Sequence, residues 1–166
     1  MGLGVLSRDG SSETLLSTEY SEANAEISPD GGFLAYQSNA SGWNEIYVRP
    51  FPNIEDGGWQ VSRDGGTRPL WAPNGQELFC LAPGGELMAT RVRTAPSFTF
   101  GKAEVLFEGG IYIGSDSSPG QSYDISPDGE RFLMIKDVNS DGTSPQELIL
   151  VQNWFEELER LVPTEN

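Results

Sequence analysis

Three short runs near the start of this chain decide its fold: Ile27-Ser28-Pro29-Asp30-Gly31, Phe33-Leu34-Ala35-Tyr36 and Glu45-Ile46-Tyr47-Val48. The second and third runs are largely apolar and contain residues that favour strands. The Pro-Asp-Gly of the first run predicts a tight turn, because proline presets φ and glycine tolerates positive φ. The whole stretch therefore predicts one antiparallel meander of three strands.

The same unit occurs three times along the chain. The proline of the turn is Pro29 in the first copy and recurs as Pro73 and Pro127, at spacings of 44 and 54 residues. These spacings are near the roughly 40 to 50 residues of a four-stranded propeller blade. The repeat therefore predicts an all-β chain, a partial β-propeller of about three blades, each with four antiparallel strands.

The pattern also predicts boundaries within a single domain of residues 1–166. The blades are expected at 20–62, 63–108 and 119–152, and residues 3–17 predict two further short strands. From Asn153 the apolar residues adopt helical spacing, with Asn153 as the N-cap and Pro163 as the stop. We therefore expect a short C-terminal helix at residues 153–162.

Residues 20–162 resemble the TolB-type β-propeller repeat, whose signature is Ser-Pro-Asp-Gly followed by an apolar strand and an Ile-Tyr-Val strand. Residues 46–52, 58–62 and 153–158 are also similar to the propeller that follows the kinase domain in some bacterial serine/threonine kinases. The resemblance implies a propeller fold with six or more blades. This chain departs from that pattern because it holds about three.

Three blades are too few to close a ring, since blade geometry suits roughly four to eight. Residues 3–17 have the character of outer strands without inner ones, and the last blade ends in a helix where an outer strand is expected. We therefore expect a homodimer in which each copy lends residues 3–17 to the other's final blade, giving a six-bladed ring. The alternative is that the chain is a fragment of a longer propeller.

The charge and composition exclude several classes of function. With 25 acidic and 10 basic residues, the formal net charge of −15 repels phosphate backbones and anionic lipids, so we expect neither nucleic-acid nor membrane binding. The absence of histidine excludes Ser-His-Asp and Cys-His nucleophiles and histidine-bearing zinc sites. The kinase signatures are also missing. We expect no enzymatic activity and no cofactor.

Two further expectations come from single features. Cys80 is the only cysteine, which excludes a disulfide within the chain, and its place in a predicted strand indicates a buried, inert thiol. The first residues lack a basic region followed by an apolar core. If Met1 is the true start, a cytoplasmic location is expected.

A binding site in a propeller is expected around the central channel, where the innermost strands begin. The candidate ligand-binding residues stand three to five positions before the aligned prolines: Asn24, Glu26, Arg68, Ser122, Tyr123 and Asp124. Arg68 is the strongest candidate, because its planar donor fork matches a carboxylate. The alternative is that Arg68 pairs with a neighbouring acid of this acidic chain.

A string at residues 137–142 matches the opening of an EF-hand calcium loop, with Asp137, Asn139 and Asp141 at the ligand positions. The twelfth position, which should be a glutamate, is Leu148. Because that ligand is missing, an ordinary polar hairpin loop is the favoured interpretation, and no metal site is expected.

Other conspicuous residues have structural explanations. Asp30 and Asp128 are expected to bond the backbone amides of their own turns. The aromatic residues Tyr36, Trp43, Tyr47 and Trp59 are expected to pack between sheets. The sequence thus predicts a propeller-type binding or scaffold module for a protein or small ligand. The alternative is a detached sensor or gating domain that regulates an enzyme.

Overall fold

The computed structural model describes residues 1–108 and 120–135, which form twelve strands and one 3-10 helix. The strands are β1 (Leu3–Leu6), β2 (Ser12–Leu16), β3 (Glu22–Ile27), β4 (Phe33–Ser38), β5 (Glu45–Pro50), β6 (Trp59–Gln60), β7 (Thr67–Trp71), β8 (Glu77–Leu81), β9 (Leu87–Arg93), β10 (Thr99–Phe107), β11 (Tyr123–Ile125) and β12 (Phe132–Met134). The 3-10 helix, Ile54–Asp56, lies in the loop between β5 and β6.

Within the part of the chain that the structure describes, all the strand pairs are antiparallel and follow the chain order. Strands β3 to β6 form one four-stranded sheet, sheet I, and β7 to β10 form a second, sheet II. Strands β1 and β2 form the N-terminal hairpin, and β11 and β12 form sheet III. Two complete four-stranded meanders flanked by two partial ones confirm the predicted all-β, partial-propeller fold class.

The repeated turn has the same conformation in all three copies. Gly31, Gly75 and Gly129 lie in the left-handed region, with φ of 75°, 69° and 76°. Beside the first glycine, an Oδ1 of Asp30 accepts hydrogen bonds from Ser28 Oγ at 2.6 Å and from the Gly32 amide at 3.0 Å. These bonds confirm the structural role expected of Asp30.

Asp128 has the same role in the third turn. Its Oδ1 accepts from the Ser126 hydroxyl and from the Glu130 amide, the latter at 3.0 Å. Asp128 also forms an ion pair with Arg131 at 3.2 Å, between two exposed side chains. The turn therefore closes on a side-chain carboxylate in both copies that carry an aspartate.

The core lies between sheets rather than within one. The largest cluster joins sheet I to sheet II, and its buried members are Ala35, Ile46, Val48, Val61, Trp71, Leu78, Cys80, Val92 and Phe98. A second cluster joins sheet II to sheet III through Leu81, Leu87 and Tyr123, among others. A third joins the N-terminal hairpin to sheet I through Leu16 and Leu34. The sheets therefore pack face to face in the order hairpin, I, II, III.

Cys80 is buried in the first of these clusters, as expected from its strand. Burial raises the pKa of the Cys80 thiol to about 12, because the charged thiolate is poorly solvated there. The thiol is therefore protonated at neutral pH, which confirms the expectation of an inert cysteine.

One aromatic prediction is wrong. Tyr36 and Tyr47 stack with ring centroids 5.8 Å apart, and Trp59 packs against Phe98 at 4.9 Å. Trp43, however, is 75% exposed. It stands on the turn between β4 and β5 rather than on a strand, so the alternation that buries strand residues does not extend to it.

Several sequence predictions fall outside the described residues. These are the third-blade strand expected at 147–152, the C-terminal helix at 153–162, and the calcium-like loop with Asp137, Asn139 and Asp141. They stay predictions. Across residues 1–108 and 120–135, no helix is long and apolar enough to cross a membrane.

Candidate functional site

Two innermost strands carry the same backbone irregularity at the positions predicted to bind a ligand. Asn24 on β3 and Arg68 on β7 adopt left-handed φ values of 51° and 52°. The strand register shifts at both places, between Ala23 and Glu26 and between Thr67 and Leu70. A left-handed conformation is strained for residues other than glycine and persists only when its surroundings hold it. The two bulges are therefore stabilised by local contacts.

Those contacts form a polar junction that links three sheets. Asn24 donates from Nδ2 to Gln37 Oε1 at 2.8 Å, and the Arg68 amide donates to the same oxygen at 3.2 Å. The Gly120 amide donates to Asn24 Oδ1 at 2.8 Å, and Arg68 Nε donates to the Gly120 carbonyl at 2.9 Å. Both bulged residues thus hold the backbone of Gly120, just before sheet III.

Two more side chains tie sheet III to the bulge of sheet II. The Tyr123 hydroxyl donates to the Arg68 carbonyl at 2.7 Å, and Gln121 Nε2 donates to the Pro69 carbonyl at the same distance. Tyr123 is buried, and burial raises the pKa of its phenol well above the usual value. The phenol is therefore a permanent donor at this junction.

Ser122 occupies the third aligned position, directly before β11. It is buried, and its hydroxyl oxygen has no hydrogen-bond partner among the residues the structure describes. Its carbonyl accepts from the Ile135 amide at 3.0 Å. Ser122 therefore places a buried hydroxyl at the start of sheet III, two residues after Gly120.

Two acidic candidates lie on inner strands of different sheets, Glu26 on β3 of sheet I and Asp124 on β11 of sheet III. Glu26 Oε2 accepts from the Trp71 amide at 2.8 Å, and the Glu26 carbonyl accepts from the Trp71 indole at 3.3 Å. Burial raises the pKa of the Glu26 carboxyl to about 7, and the negative charge of Asp124 acts in the same direction. Glu26 therefore holds its proton to a higher pH than an exposed glutamate does.

The structure brings the six predicted residues to one region, where sheets I, II and III meet. Arg68 is only 4% exposed, and its guanidinium bonds a backbone carbonyl of the same chain. An exposed donor fork is therefore not present, and ligand binding by these six residues stays a prediction. What the structure shows is that two side chains bind one backbone unit of the same chain. Asn24 accepts from the Gly120 amide, and Arg68 donates to the Gly120 carbonyl.

Sequence reasoning missed three members of the junction, Gln37, Gly120 and Gln121. Gln37 is buried at the end of the apolar run on β4, and a polar side chain at an inward strand position was an available signal. Gly120 and Gln121 act through a loop whose path no periodicity reveals.

No cluster of three or more His, Cys, Asp or Glu side chains suited to a metal occurs in ranges 1–108 and 120–135.

Radially packed meanders and a polar junction at the inner strands define the class of fold as a partial β-propeller. Solved structures agree. TolB from Acinetobacter baumannii matches with a TM-score of 0.57 and 18% identity over 80% of this chain and 31% of that chain. Oligogalacturonate lyase from Vibrio parahaemolyticus matches with a TM-score of 0.52 and 14% identity over 76% of this chain and 33% of that one.

These two matches are likenesses of fold. The chain spans about a third of the length of each solved protein that it matches. No protein-family model matches the sequence, and no curated protein matches it. The resemblance to the TolB-type propeller therefore holds at the level of architecture.

Proposed function

We propose that this chain is a non-catalytic binding or scaffold module that pairs with a second copy of itself to close a six-bladed propeller. The fold supports the first part of the proposal, because propellers present loops and a channel on a rigid frame. The second part rests on how successive sheets contact one another.

Each sheet presents one cross-strand pair to the next sheet along the chain. In sheet I the pair is Glu26 and Ala35, which face Trp71 and the core shared with sheet II. In sheet II the pair is Leu70 and Phe79, which are buried in the cluster shared with sheet III. Directly opposed residues of an antiparallel pair share a face, so these pairs define the forward face of each sheet.

The next cross-strand pair along the same two strands points to the opposite side of the sheet. We call this side the backward face, because it is turned toward the preceding sheet. In sheet II it is Trp71 and Leu78, which pack against sheet I, and in sheet III it is Ile125 and Phe132, which pack against sheet II. The corresponding backward pair of sheet I is Ile27 and Leu34. Forward and backward faces therefore alternate regularly through the chain.

The observation that supports pairing of two copies is an exposed apolar residue on the free face of the first sheet and another on the free face of the last sheet. The forward pair of sheet III is Asp124 and Leu133, and Leu133 is 76% exposed. At the other end, Ile27 on the backward face of sheet I is 46% exposed. A second copy that continues the series would place Leu133 against Ile27 of the partner, which buries both side chains.

The N-terminal hairpin fits the same arrangement. It packs on sheet I through Leu16 and Leu34, and β2 leads into β3 through a short connection, as β6 leads into β7. By that analogy β1 and β2 are the outer strands of a blade, and β11 and β12 are the inner strands of a blade. In the proposed ring, β11 and β12 of one copy and β1 and β2 of the other copy form one complete blade.

The test is the mass in solution by gel filtration with light scattering. We expect twice the 18.1 kDa of one chain, and more dimer at higher ionic strength, because salt screens the repulsion between two acidic copies. Leu133→Glu should yield a monomer with an unchanged circular dichroism spectrum. The matched control, Val105→Glu on the exposed side of β10, should remain dimeric.

A wild-type chain that stays monomeric at all concentrations would overturn the pairing, as would equal dissociation of the two variants. The alternative of a detached sensor or gating domain stays a prediction. Exposed apolar residues on the C-terminal helix expected at residues 153–162 would favour docking to an enzyme, and that segment lies outside the described residues. The cytoplasmic location also stays a prediction.

A further inference from the structure

A groove beside Trp43 reaches Thr67, next to the Arg68 bulge, but none of the six predicted site residues lines it. Leu133 and Ile27, which would meet in the ring, are not in its lining either. The groove has a volume of about 360 Å³, and its walls include Trp43, Asn39, Asn44, Gly65, Thr67 and Pro83. This volume is at the lower end of the range for small-molecule sites. The groove lies between the β4–β5 turn of sheet I and the β8–β9 turn of sheet II.

The aromatic wall is held in place by its turn. The Gly42 amide donates to the Asn39 carbonyl at 2.9 Å, and the Ser21 amide donates to Asn39 Oδ1 at 2.8 Å. The Asn44 carbonyl accepts from the Gly66 amide at 2.8 Å, which joins this turn to the floor of the groove. Trp43 is thus presented on a loop fixed at both ends, with its indole exposed.

The floor is equally constrained. The buried Glu45 carboxylate accepts from the Gly65 amide at 3.1 Å and from the Ser62 hydroxyl. Gly65 has a φ of 90°, and a Cβ built there would stand 2.4 Å from the Cγ of Pro83. Only glycine therefore fits where this floor meets the Pro83 wall. A preorganised groove loses little conformational entropy when a ligand binds.

The lining of the groove indicates the kind of ligand. Among the residues that the structure describes, none that lines the groove is charged, although the chain carries 25 acidic and 10 basic residues. The exposed Trp43 shares the groove with three residues that carry polar side chains, Asn39, Asn44 and Thr67. Asn39 Oδ1 already accepts from Ser21, and the Thr67 hydroxyl donates to the Leu81 carbonyl, so the Asn39 amino group and the Thr67 oxygen lone pairs remain for a ligand. The negative face of an indole attracts the slightly positive C–H groups on one side of a sugar ring. Amides and hydroxyls supply the donors and acceptors that sugar hydroxyls need.

From this combination we propose that the groove binds a neutral pyranose oligosaccharide, with Trp43 as the stacking platform. A proline-rich peptide is the less favoured occupant, because such peptides dock in grooves lined by several aromatic residues, and the described lining of this groove contains one. An acidic sugar is disfavoured by the net charge of −15. The proposal concerns one copy of the chain and is independent of ring closure.

The experiment follows the Trp43 indole N–H signal by two-dimensional NMR in the full chain. The probes are the neutral hexasaccharides of glucose, mannose, xylose and N-acetylglucosamine. Hexagalacturonate is the anionic comparison, and a proline-rich peptide represents the other occupant. We expect at least one neutral probe, and not hexagalacturonate, to shift this signal in a saturable manner. The Leu133→Glu variant should bind equally well, which separates this test from that of the dimer.

Because the Trp43→Ala variant lacks the Trp43 indole signal, its affinity is measured by titration calorimetry with the active probe. Trp43→Ala should weaken binding by about tenfold or more, since loss of stacking removes roughly 1.4 kcal/mol. Trp43→Tyr should restore most of it. The matched control is Leu6→Ala, at a residue that is also 75% exposed but lies on β1, and it should bind normally. The proposal is overturned if no neutral probe shifts the signal, if Trp43→Ala binds like wild type, or if only a proline-rich peptide binds.

Discussion

At the residue scale, the most consequential side chain is Glu26. Its carboxylate faces the backbone of the next sheet and accepts from the Trp71 amide at 2.8 Å. Burial on the inner strand removes water from the charged carboxylate of Glu26, and the negative charge of Asp124 repels that carboxylate. Both effects raise the pKa of Glu26. The residue that connects sheet I to sheet II is therefore also the one whose protonation changes near neutral pH.

This pKa shift makes a prediction about stability. The carboxyl pKa is raised from about 4.5 to about 7 in the folded chain, so the folded state holds a proton that the unfolded state releases. The resulting stabilisation is complete below the unfolded pKa and is lost as the pH rises through about 7. Glu26→Gln should therefore raise the free energy of unfolding, relative to wild type, more at pH 8 than at pH 5.

Urea unfolding followed by circular dichroism at the two pH values measures the difference. Glu13→Gln, at an exposed position on β2, is the control and should show no such dependence on pH. If the free-energy difference between Glu26→Gln and wild type is the same at both pH values, the raised pKa of Glu26 is contradicted.

At the scale of the element, the repeated turn explains why three strand pairs form in the same way. Asp30 and Asp128 each accept from a serine hydroxyl and an amide two residues on, and Asn74 Oδ1 accepts from the Gln76 amide at 2.9 Å. Each bond satisfies a backbone donor that the tight turn leaves unpaired. The side-chain oxygen, rather than the charge, is common to the three copies.

Asp30→Ala should therefore lower the free energy of unfolding by about 1 kcal/mol, the usual net value of a hydrogen bond, because the Gly32 amide and the buried Ser28 hydroxyl lose their acceptor. Asp30→Asn should retain most of the stability, as Asn74 does in the second turn. Thermal and urea unfolding give both values. An asparagine variant as unstable as the alanine variant would show that the charge matters more than the oxygen.

At the scale of the whole molecule, stability comes from contacts between sheets. Leu78 is buried in the cluster that joins sheet I to sheet II, where Phe98 contacts the rings of Phe33, Trp59 and Trp71. Neither sheet can bury this face alone. The two sheets are therefore expected to unfold together.

Leu78→Ala should lower the free energy of unfolding by about 2 to 5 kcal/mol, because it leaves a cavity in this shared core. Hydrogen exchange should show protection lost in β4 and β8 alike. Leu106→Ala, at an exposed position on β10, should change stability by less than about 0.5 kcal/mol. Loss of protection confined to sheet II would contradict a shared core.

The sequence by itself determined the strands, their turns and the repeat, because alternating apolar residues and Pro-Asp-Gly turns act over a few neighbouring positions. It also indicated the inner-strand positions of Asn24, Arg68 and Ser122, since aligned copies place equivalent residues alike. Only the tertiary structure decided what those residues contact, and it left Trp43 exposed where strand packing was expected. The physical reason is that Gly120 reaches Asn24 across 96 positions of the chain, and no local pattern encodes such a contact.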